Sequence, residues 1–164
     1  MLLPIGAGVA LAAAGSGWYL LQQRQAALAA AANANLSGSW NLTLGNDAPF
    51  MVVLQQEGER LGLTSLPVTI ATRADWAAYR KFWLSLTGTE LNAVVYRGRG
   101  ELRADPGVAR SVNLALKIFN QGGDTLIDGG NLRASVAADG RQMMGKVWLN
   151  SEQAERVATL QRQS

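Results

Sequence analysis

The chain has 164 residues, 48% of them apolar, and carries a net charge of +3. The apolar share supports a folded core and excludes general disorder, and the length fits one domain of about 100–150 residues plus an appendage. The fifteen basic residues are almost all isolated, which argues against a nucleic-acid surface. The absence of Cys and His excludes disulfides, thiolate zinc sites, Cys nucleophiles and His-based triads.

Leu2 to Leu21 reads LLPIGAGVALAAAGSGWYLL, without one charged side chain. As helix this rises about 30 Å, the thickness of a bilayer's hydrocarbon core. Trp18 and Tyr19 fall where amphipathic rings favour headgroups, and Gln22, Gln23 and Arg24 mark the water side. Residues 1–22 are therefore expected to form a transmembrane anchor. A cleaved signal peptide ending at Ala32-Asn33-Ala34 is the competing reading. Against it, no positive segment precedes the apolar run, and Arg24 separates that run from the cleavage-like site. Gly6, Gly8, Ala10, Ala12, Ala13, Ala14 and Gly17 supply pairs of small residues four apart, a spacing that lets helix backbones approach closely in lipid. They are the expected contacts to integral membrane subunits. Residues 23–35 are Ala-rich without a breaker and read as a helical stalk. Arg24 argues for a cytoplasmic C-terminal domain, whereas the very short N-terminus and the cleavage-like alanines favour export. The expectation is a bacterial inner-membrane protein with a periplasmic domain.

From residue 36 to residue 150 the pattern alternates. Trp40, Leu42 and Leu44 form one inward row, and Phe50, Val52 and Leu54 the next, with Leu61 and Leu63 leading back. Gly45-Asn46-Asp47 and Glu57-Gly58-Glu59 are the intervening turns. Asp75 reads as the cap of a short helix through Trp76, Ala77 and Tyr79. Phe82, Leu84 and Leu86 then read as a strand, and Leu91, Ala93 and Val95 as its return. Leu114, Leu116 and Ile118, then Leu132, Ala134 and Val136, then Val147 and Leu149 complete the set. Asp105-Pro106-Gly107, Gln121-Gly122-Gly123-Asp124 and Ala138-Asp139-Gly140 mark the later turns. About eight strands without a βαβ rhythm predict a mostly β domain, an antiparallel meander barrel or sandwich. Residues 151–164, beginning SEQAERVATLQR, read as a short capped C-terminal helix and tail.

Leu36-Ser37-Gly38-Ser39-Trp40 resembles the G-x-W opening of lipocalins and related calycin barrels, and LSGSWNLTLG is also similar to the start of avidin-type barrels. The segments VVLQQEGERLGLT and ASVAADGRQMMGKVWL resemble hairpins of bacterial lipocalin-like domains. The likeness covers some 110 residues in pattern (about one small domain), but only Gly38 and Trp40 carry its signature. It implies a basic residue late in the chain packed over Trp40, for which Arg133 and Arg141 are the candidates. It also implies an interior able to hold a small apolar ligand.

Seven of the twelve carboxylates, among them Asp47, Glu57, Asp105 and Asp139, sit at turns, where they are normally structural. No calcium loop, phosphate cradle or Ser–Lys motif is present. No catalytic residue, metal ligand or cofactor site is expected. By alternation Trp83, Tyr96 and Trp148, with Phe119 and Met144, point away from the core row and are expected partner contacts. The leading expectation is a non-catalytic, single-pass accessory subunit of a larger membrane complex, such as a respiratory, photosynthetic or secretion assembly. The alternative is a membrane-tethered lipocalin-like module for a small apolar ligand.

Overall fold

A computed structural model describes residues 17–25, 35–104 and 109–164. The chain divides into two units, Met1–Ala34 and Asn35–Ser164. In the first, residues 17–25 are helical, with the Gln23 amide donating to the Tyr19 hydroxyl one turn back at 3.1 Å. Among the described residues no helix is long and apolar enough to cross a membrane. The expected anchor falls mainly in residues 1–16, outside the described residues, as do six of its seven small packing positions and the stalk from 26 to 34. A Cβ added at Gly17, the seventh, would meet nothing within 4 Å among the described residues.

The second unit is a closed, eight-stranded antiparallel barrel. Its elements are β1 (Gly38–Leu44), β2 (Phe50–Glu57), β3 (Arg60–Ser65), the two-residue β4 (Val68–Thr69), a 3-10 turn (Ala74–Trp76), α1 (Ala77–Thr87), β5 (Ala93–Arg103), β6 (Ser111–Asn120), β7 (Leu126–Val136), β8 (Gln142–Leu149) and β9 (Ala154–Arg162). Each strand pairs with its neighbours in chain order, β3 with β5 and β9 with β1, so the meander closes without a free edge. β4 only lengthens the sheet beside the start of β5.

The inward rows follow the alternation. Trp40, Leu42 and Leu44 face Val52 and Leu54, Leu61 and Leu63, Leu114 to Ile118, Leu132 to Val136, Met143 to Leu149, and Ala158 with Leu160. Nearly all are 0–4% exposed, so the interior is filled by the barrel's own side chains, as eight-stranded barrels commonly are. Sharp sheet curvature demands close backbone approach, seen at Gly145. A Cβ there would sit 1.9 Å from the Arg133 carbonyl oxygen, so only glycine fits.

Four sequence expectations are corrected. The C-terminal segment is strand β9, not a helix. A helix there would leave the facing edges of β1 and β8 unpaired, whereas β9 bonds to both, and Ala158 and Leu160 face inward. Phe82, Leu84 and Leu86 lie on α1 rather than on a strand. The helix runs to Gly88, whose N–H bonds the Leu84 carbonyl at 2.9 Å. Asp75 supplies no side-chain cap to this helix; it pairs instead with Arg73. The inward row of β5 is Val94, Tyr96, Gly98, Gly100 and Leu102, one residue out of step with Ala93 and Val95. Slipping one residue exchanges the two faces of a strand.

Candidate functional site

The chain enters the barrel at a closed end. Trp40 is fully buried and donates its indole N–H to the Leu36 carbonyl at 2.9 Å. The Arg162 guanidinium lies 5.7 Å from the Trp40 ring centroid and donates to the carbonyls of Asn35 (3.0 Å) and Ser37 (2.8 Å). Gly38, at φ 134°, holds the backbone turn that brings these carbonyls to the guanidinium. The basic residue over Trp40 is thus Arg162, not Arg133 or Arg141. Arg133 points outward from β7, and Arg141 follows the exposed hairpin turn at Asp139. The misread C-terminal helix hid Arg162, since only as a strand does it share the inward row of Ala158 and Leu160.

At the opposite end, Asp47 bridges two arginines, Arg73 at 2.7 Å and Arg156 at 3.2 Å. Arg73 also grips Asp75, and Arg156 grips both oxygens of Glu152. The hydrogen bond and charge of Arg73 hold the Asp75 carboxyl below the ordinary carboxylate range, while Asp75 and Asp47 raise the Arg73 guanidinium. Beneath this mouth lies Tyr96, its phenol pushed up to about 12 by burial and its ring stacked on Phe50 at 4.9 Å.

These placements divide the expected partner contacts. Trp83 is 8% and Tyr96 2% exposed, both within the core, so neither presents an outward surface. Trp83 is buried because its segment is helical, and Tyr96 because the β5 row is shifted. Trp148 alone of the three stands on the outer face, half-buried, with Met144 57% exposed near it. Phe119 is half-buried beneath the Arg97 guanidinium, 4.8 Å from its ring centroid.

The outer face of β6, β7 and β8 is a saddle, since a twisted sheet closed into a barrel curves oppositely around and along its axis. Its hollow holds about 770 Å³ and is lined by Trp148, Met144, Asn131, Arg133, Lys146 and Ser135, among others. Cross-strand register sets Asn131 beside Trp148, Arg133 beside Lys146 and Ser135 beside Met144. Among the described residues that line it are three cations (Arg103, Arg133, Lys146) and one carboxylate, Glu155. Glu155 bonds Lys146 at 2.8 Å and raises its ammonium's pKa, holding that charge. This hollow offers an aromatic and a thioether anchor within a polar, basic rim, the composition of a protein-contact surface. Among the described residues no cluster of carboxylates could hold a metal ion.

In comparisons with known proteins, no family model, no curated protein and no solved structure matches the chain.

Proposed function

We propose that this chain is a non-catalytic accessory subunit of a larger bacterial membrane complex, tethered by its apolar N-terminal segment and gripping a neighbouring subunit with the outer hollow around Trp148. One observation carries the reading. The barrel interior is occupied by its own side chains, which leaves the outside as the working surface. The uncharged run Leu2–Leu21 supports the tether, and the absence of His and Cys supports a binding role over a catalytic one. The basic rim favours an acidic patch on the partner. The periplasmic face of the inner membrane is the proposed location.

The test is site-specific photo-crosslinking in native membranes. A crosslinker at position 148 should give one discrete, heavier adduct, and one at Val53 on the outer face of β2 should not. Equal or absent adducts at both positions would overturn the assignment of the face.

The Gly38–Trp40–Arg162 arrangement supports a second proposal, that the barrel is of lipocalin-like, calycin type. An apolar ligand held inside would have to displace packed residues such as Leu63, Leu114 and Met143, which weighs against the ligand-binding alternative.

A further inference from the structure

Beside the mouth opposite Arg162, a cleft of about 320 Å³ opens between α1 and the ends of β7 and β8. One wall is aromatic. Trp76, Tyr79 and Phe82 recur every three residues, so they stand on one flank of the helix. Trp76 meets Tyr79 at 78° with centroids 5.9 Å apart, and Tyr79 meets Phe82 at 65° and 6.2 Å. Adjacent rings set nearly at right angles make corners whose walls are π faces.

Asp75, next to Trp76 in the 3-10 turn, lines it too, and so do Asp128 on β7 and Glu152 just after β8. Among the described residues around it, Asp47, Asp75, Asp128 and Glu152 stand against Arg73 and Arg156, four negative charges to two positive. Among the described residues no cation pairs with Asp128, whose negative charge helps raise the Tyr79 phenol. Part of their acceptor capacity, by contrast, is already used. Asp128 receives the N–H groups of Gly129 and Ser151 and the Ser151 hydroxyl at 2.5 Å. Arg73 holds both oxygens of Asp75, and Arg156 both of Glu152. What remains is uncompensated negative charge beside π faces.

We infer that this cleft binds a quaternary ammonium group. Such a cation carries permanent charge, has no N–H requiring an acceptor, and is held by ring faces. A primary ammonium needs up to three acceptors and would have to compete for them with the existing network. The group could arrive on a free solute or on a lipid headgroup, and both present the same chemistry.

The test is a proton NMR titration of the full chain in a maltoside detergent, which carries no choline. Choline or tetramethylammonium chloride should shift aromatic ring signals with a dissociation constant on the order of millimolar, as a few cation–π contacts allow. Phe82 is 57% exposed, so Phe82→Leu keeps the fold while removing one π face, and it should weaken binding about three- to tenfold. Asp128→Asn should weaken it comparably. Titration with phosphatidylcholine bicelles, against phosphatidylglycerol bicelles, separates the sources: response to choline alone marks a solute, and response to the lipid as well marks a headgroup. The inference is overturned if a neutral alcohol with a tert-butyl group shifts the signals equally. It is overturned too if Phe82→Leu binds as the wild type does, or if potassium chloride at equal ionic strength reproduces the effect.

Discussion

Replacing Arg162 by Met removes the guanidinium but keeps an unbranched stem over Trp40. Two hydrogen bonds from a charged donor are lost, at 2.8 Å to the part-buried Ser37 carbonyl and at 3.0 Å to the exposed Asn35 carbonyl. Water can replace the second, so most of the cost falls on the first and on the lost cation–π contact, whose ring lies 5.7 Å away. A charge-assisted bond of about 1.5–3 kcal/mol and a contact of about 0.5 kcal/mol give an expected loss of about 2–3.5 kcal/mol. That loss lowers the folding equilibrium constant by a factor of roughly 30–400. Lys at this position keeps the charge but cannot reach both carbonyls in a planar fork, so Arg162→Lys should lose about 1–2 kcal/mol. Urea unfolding followed by tryptophan fluorescence measures both, provided the slopes match. If Arg162→Met stays within about 0.5 kcal/mol of the wild type, the view that this residue locks the closed end is wrong.

Gly145→Ala places a carbon 1.9 Å from the Arg133 carbonyl oxygen, and overpacking should cost about 3 kcal/mol or more. Gly122→Ala, whose nearest neighbour would be 3.5 Å away, should stay within about 0.5 kcal/mol; similar midpoints in urea for the two would contradict the curvature argument. The pH dependence has a defined sign. The Asp75 carboxyl is lowered in the folded state, so its contribution is complete above the ordinary carboxyl value of about 4 and is lost as pH falls through the lower folded value. Asp75→Asn should therefore lose less stability than the wild type between neutral pH and pH of about 2, and parallel curves would refute the Arg73 linkage.

Alternation made much of the barrel legible. The rows on β1, β2 and β6, and the apolar stretches Leu132 to Val136 of β7 and Val147 to Leu149 of β8, were readable because apolar residues fall at every second position. β5 was not, because two of its inward positions are Gly98 and Gly100, invisible to a hydrophobicity pattern. β9 was missed because its inward row begins and ends with Arg156 and Arg162, long cations that reach the two barrel mouths. Phe82-Trp83-Leu84-Ser85-Leu86 satisfies both periods over so short a window, and only its packing makes it helical. The same misreading placed Trp83 outside. The outer hollow was half-legible, through Trp148 and Met144; the basic side chains that line it, Arg103, Arg133 and Lys146, come from three strands of the meander and are brought together by the cross-strand register.

Native mass spectrometry of the protein released from its own membranes in mild detergent tests the proposed role most directly. The account predicts a particle far heavier than the chain, with the barrel subunit carrying no lipid or pigment in its interior. A lone chain bearing one small apolar molecule would contradict it.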